Sequence, residues 1–124
     1  MSHPQANRMI ERLRELQGTS PDIEASAVVS VDGLIIASAL PSEISEDRVS
    51  AMSAAILGLG EHITGEFARG ELEQVIVRGT GGFVLLTAIG DEAVLTALAS
   101  EKSKLGLVSL DLRRTADHLL ELFE

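Results

Sequence analysis

The chain has 124 residues and a formal net charge of −9, with 19 Asp and Glu against 10 Lys and Arg. This length suits one domain, spanning residues 1–124. With no cysteine, Trp or Tyr, the composition excludes disulfides, thiol catalysis and cysteine metal sites. It also argues against nucleic acid and anionic membranes as partners, which require basic patches and, for single strands, stacking aromatics.

The opening stretch, Met1 to Asn7, is polar and lacks a signal-peptide hydrophobic region. No run approaches the roughly 18 apolar residues of a membrane span. A cytoplasmic protein is expected. From Pro4, the residues Ala6, Met9, Ile10, Leu13 and Leu16 form one apolar stripe of a helix that Gly18 ends. Ala25 to Val31 and Leu34 to Ala37 are β-prone runs around Asp32-Gly33, a strong hairpin signal.

Ser45 to Phe67 reads as a central helix, with Ser45 as N-cap and Glu46 and Asp47 suited to the positive end of its dipole. Val49, Met52, Ile56, Leu59, Ile63 and Phe67 fall on one stripe. With that stripe expected to face the sheet, the far, exposed side carries Ala51, Ala54, Ala55, Gly58, His62 and Gly65, small enough for another backbone to approach. Gly58, Gly60 and Gly65 each cost about 1 kcal/mol of helix propensity. Such a helix is either buried on both sides in its own domain or meets a partner.

Leu72 to Arg78 and Phe83 to Ile89 form a second hairpin around residues 79–82. Ala93 to Ala99 reads as a fifth strand, although Val94, Leu95 and Leu98 also fit a short helix. A last helix carries Leu105, Val108, Leu112, Ala116, Leu119 and Phe123 on one stripe. The expected fold is α+β, in the order α-β-β-α-β-β-β-α. A five-stranded antiparallel sheet lies between the central helix and the N- and C-terminal helices.

The strand runs are continuously apolar, as in Val75-Ile76-Val77 and Val84-Leu85-Leu86, so both sheet faces need cover. Five strands span about 24 Å, and one helix is about 10–12 Å wide. The central helix alone leaves its face partly bare. A second copy of the chain is the simplest cover.

Residues 78–83, Arg-Gly-Thr-Gly-Gly-Phe, look like a phosphate loop, but a strand follows where a helix N-terminus is required. A hairpin turn explains them. His3, His62 and His118 are widely spaced and read as interface or surface residues, with no metal-site spacing. No nucleophile elbow is present. No enzyme activity, metal or cofactor is expected.

The element order, together with residues 27–38 around Asp32-Gly33, residues 51–60, 72–77 and 82–87, and Leu105-Gly106-Leu107, resembles the Roadblock/dynein light chain family. The likeness is greatest to its short bacterial, MglB-like members. The resemblance implies a non-catalytic scaffold or regulator for a Ras-like small GTPase. It also implies a dimer whose sheets join edge to edge and whose central helices meet. The expected dimer or partner interface is Ala51, Ala54, Ala55, Gly58 and His62 on the small side of the central helix with Val75 and Val77, and Glu61, Glu66 and Arg69 are candidate rim residues for the partner GTPase. The chain stops where longer MglB-type members continue, so plain binding is expected rather than stimulation of GTP hydrolysis. The alternative is a small-ligand sensor of profilin-like architecture. Calorimetric titration of GTP into the protein should give no heat of binding, whereas micromolar affinity would contradict the hairpin reading of residues 79–82.

Overall fold

The structure, a computed structural model, describes residues 4–123. Its elements run α1 (Pro4–Thr19), β1 (Ile23–Ser30), β2 (Ile35–Ala39), α2 (Glu46–Glu66), β3 (Gln74–Gly79), β4 (Gly82–Ile89), β5 (Ala93–Ser100) and α3 (Leu105–Glu121). The residues after the β4–β5 turn pair along the whole of β1, so they are a strand and not a short helix. The sheet order is β2-β1-β5-β4-β3, and every pairing is antiparallel. β1 and β5 therefore hold the centre, and β2 and β3 are the edges.

α1 and α3 lie together on one face. Met9, Leu13 and Leu16 of α1 meet Val108, Leu112, Ala116 and Leu119 of α3 over Val28, Leu85, Leu95 and Ala97. Both helices turn large apolar residues inward and most of their charges outward, as amphipathic helices do. The opposite face has a smaller cluster, in which Ala27, Val29, Leu86 and Val94 meet Leu57 of α2.

The β3–β4 turn explains one glycine. Gly82 has φ +148°, and a Cβ there would lie 2.5 Å from the carbonyl oxygen of Ala99. The turn is thus a tight hairpin with Thr80 and Gly81 at its tip.

Both ends of α2 are chemically specified. The Ser45 hydroxyl accepts from the backbone N–H of Arg48 at 3.3 Å. At the other end the Ala68 N–H donates to Gly65 O and the Arg69 N–H to Thr64 O, which is a Schellman motif. Its left-handed position is Ala68, at φ +54°, where glycine is usual. A Cβ in that conformation costs about 1–2 kcal/mol. Replacing Ala68→Gly should raise the unfolding free energy by about 1 kcal/mol in urea denaturation; a loss of stability would contradict this reading of the cap.

Candidate protein-protein interface

The phase of α2 on the sheet is the reverse of what its bulky stripe suggests. The buried residues are Ser50, Ser53 and Leu57. Gly60 and Thr64 continue that line at helical spacing. The Ser53 and Thr96 hydroxyls share a buried hydrogen bond of 2.8 Å, and the Ser50 hydroxyl donates to its own helix at Asp47 O. Gly60 faces inward as well, because a Cβ there would meet Leu72 at 2.8 Å and Val75 at 3.2 Å.

The large residues expected inside therefore point out. Met52 and Leu59 are each 59 % exposed, Ile63 47 % and Phe67 65 %. The physical reason is that small and hydroxylic residues let the helix lie close to the sheet, with a partner for each hydroxyl. The bulky stripe then has no room beneath. Val49 and Ile56, at its inner margin, are partly buried. An exposed apolar strip of this kind marks an interaction surface.

The sequence-expected interface residues divide. Ala51, Ala55, Gly58 and His62 are exposed on the outer side of α2. Ala54 is partly buried, its Cβ 3.4 Å from the position a Cβ would take on Gly33. Val75 is half-buried beneath Gly60. Val77 is 43 % exposed and belongs to a cross-strand row with Val84 and Leu98, both partly buried. This row continues the exposed strip from α2 onto the sheet.

β3 itself is an open edge. It contains no proline and pairs regularly with β4, and its one charged residue is Arg78 near the turn. The other edge, β2, has α1 packed against it, and its Ile36 and Ala39 join the core beneath α1.

Glu61, Glu66 and Arg69 are all exposed but do not form one rim. Five residues apart, Glu61 and Glu66 differ by about 140° around the helix. Glu66 stands with His62 and Leu59 on the outer side. Glu61 lines an open cleft of about 570 Å³ at the β4–β5 turn, with Glu71, Glu73, Asp91, Asp117 and Arg113. His118 is exposed on α3, and His3 lies outside the described residues. Among the described residues no group of three or more His, Asp or Glu is placed to hold a metal ion. No helix among them is long and apolar enough to cross a membrane.

Sequence reasoning missed Met52, Leu59, Ile63 and Phe67 as surface residues. A signal was present: Arg48, His62 and Glu66 lie within about 40° of one another on the helix, beside Leu59. These polar groups mark the outward side.

The comparisons agree on one architecture. The family model for the Roadblock/LC7 domain matches residues 9–99. An uncharacterized protein of Methanocaldococcus jannaschii, MJ0310, is 39 % identical over 116 residues, covering 93 % of this chain and all of its own length. Among solved structures, Myxococcus xanthus MglB superposes with a TM-score of 0.89 at 18 % identity, over 99 % of this chain and 92 % of that one. An MglB described with a tetrameric arrangement gives 0.88 at 17 % identity, over 98 % and 92 %. Acanthamoeba castellanii profilin IB gives 0.66 at 16 %, over 94 % and 99 %. At these identities the structural likenesses speak to fold alone.

Proposed function

The chain belongs to the Roadblock/LC7 domain family, and from that premise we propose that it is a non-catalytic, cytoplasmic homodimeric scaffold or regulator that binds a Ras-like small GTPase. The observation that carries the dimer is the inverted packing of α2 beside an open β3 edge. A helix with Met52, Leu59, Ile63 and Phe67 outside gains by burying that strip, at about 25 cal/mol per Å² of apolar area. The same surface includes an open strand edge, so a second copy satisfies both needs at once through an isologous contact. The tetrameric arrangement recorded for one MglB supports self-association as a habit of the fold.

The GTPase reading rests on the family. The two α2 helices of such a dimer would present a broad face flanked by Glu61, whereas Glu66 stands on the side that the second copy covers. The ligand-sensor reading draws on the likeness to profilin. It has less support, because the cleft beside Glu61 is open and lined by carboxylates, whereas small-ligand pockets are mostly apolar.

Sedimentation equilibrium at micromolar concentration should give twice the chain mass of 13.2 kDa. Gly58→Leu or Ala55→Glu should weaken assembly, by about 1–3 kcal/mol for the overpacked Gly58→Leu contact. Ser50→Ala should leave assembly intact. The Gly58→Leu test is clean, since a Cβ at Gly58 meets nothing within 4 Å in the single chain. A monomeric wild type, or a Gly58→Leu variant that assembles normally, would sink the dimer.

For the GTPase, charge reversal at Glu61 should slow association with a basic partner surface more than it speeds dissociation. Arg14→Glu, exposed on α1 across the sheet, should change that binding little. Binding kinetics against small GTPases of the same genome, in GDP and GTP-analogue forms, provide the check. If none binds in either form, the sensor reading moves ahead.

A further inference from the structure

We propose that the cleft at the β4–β5 turn docks a short basic segment of another protein, one that carries leucine between lysines or arginines. The cleft, of about 570 Å³, opens between the Glu61 side of α2 and the Arg113 side of α3. It lies at the end of the sheet away from the β3–β4 turn. Its lips are the α2–β3 connection at residues 70–73 and the turn at Gly90 and Asp91. Binding clefts usually fall between about 300 and 1,000 Å³.

Depth and rim differ in chemistry. Leu57, Ala93 and Ala116 are buried lining residues, while half-buried Leu72 and Val31, 48 % exposed, carry the apolar surface outward. Thr87 is the buried polar residue of the lining, and its hydroxyl already accepts from Gln74 Nε2 at 3.0 Å. The rim carries five exposed carboxylates from separate parts of the chain. Glu61 comes from α2, Glu71 and Glu73 from the α2–β3 connection, Asp91 from the β4–β5 turn and Asp117 from α3. Arg113 is the one cation among them. Among the described residues Arg12 and Glu15 form the only ion pair, so neither Arg113 nor any of the five has a close opposite charge. The fold, and no run of acidic residues, gathers this charge. A cleft lined by one sign of charge over low-dielectric walls focuses the field and concentrates counter-charge.

The arrangement selects the guest. Among the described residues no three of these carboxylates are placed to hold one metal ion. The incoming positive charge must therefore be spread over several groups, as on a segment with two or more lysines or arginines. Their aliphatic stems can lie along the apolar wall while the charged heads stay at the rim. A leucine between them fills the depth over Leu57 and Ala93, which a polyamine, bringing charge alone, leaves empty. Around α2, Glu61 stands about 160–180° from Met52 and Ile63. A second copy seated on that strip leaves the cleft open, so the site is one per chain in monomer or dimer.

The test uses a short fluorescein-labelled peptide of alternating leucine and lysine. Fluorescence anisotropy against the full chain should saturate at one peptide per chain, with micromolar affinity that falls as salt rises. Asp91→Lys and Asp117→Lys should each weaken binding about tenfold, with circular dichroism unchanged, and Arg113→Gln should strengthen it. Glu11→Lys, exposed on α1 and absent from the cleft, alters the net charge equally and should weaken binding far less. Replacing the leucines of the peptide by serine should also cost about tenfold. The site is overturned by a wild-type chain that ignores the peptide, or by Glu11→Lys proving as damaging as Asp91→Lys and Asp117→Lys. It is equally overturned by a serine peptide that binds as tightly as the leucine one. None of these outcomes touches the dimer or the GTPase reading, which sedimentation and the Glu61 kinetics decide separately.

Discussion

The hydrogen bond between Ser53 and Thr96 sits where the central helix crosses the sheet, and it works only at close range. At 2.8 Å between side-chain oxygens it holds α2 near β5, with Ser50, Leu57 and Gly60 sharing the contact. A buried hydroxyl without a partner would cost about 1–3 kcal/mol, so this contact resists rotation of the helix about its axis. The rest of α2 follows from that phase. Met52, Leu59 and Ile63 have nowhere to go but outward, and Ala55, Gly58 and His62 stand among them. An outer face alternating large apolar with small residues has the composition of an interior seam.

The two faces of the sheet are thus built differently. On one, α1 and α3 close a core of large side chains, including Leu13, Leu85 and Leu112. This face supplies most of the burial in the single chain. On the other, a thinner layer under α2 runs out before the β3 edge, where Val77 and Val84 remain open or half-open. The Gln74–Ser109 pair ties that edge back to α3. A firm face and an unfinished face in one small domain suit a part that is completed by assembly.

The sequence made local structure legible and left the global relations obscure, for physical reasons. Ser45, Asp32-Gly33 and the glycines at 79–82 act on their own backbone, so the helix start and both hairpins could be read directly. The division of three helices between two faces followed from the continuously apolar strands. The pairing of β1 with β5 joins segments far apart in the chain, and no local signal announces it. The phase of α2 was misread because hydrophobicity usually points inward. Here the choice was made by a serine whose partner, Thr96, lies 43 residues away. Consequently Leu59 and its stripe lie on the surface, and Gly60 lies against the sheet.

The central claim is that β3 and the outer side of α2 are closed by a second copy of the chain. Amide hydrogen exchange reads this directly, since in a single chain the outward N–H groups of Gln74, Ile76 and Arg78 face solvent, while those of Val75 and Val77 bond to β4. At concentrations where the protein is assembled, the Ile76 and Arg78 amides should be protected as strongly as those of Val75 and Val77. That protection should fall on dilution or in Gly58→Leu. Exchange at Ile76 and Arg78 as fast as at the exposed turn residue Gly81, at every concentration, would contradict the account.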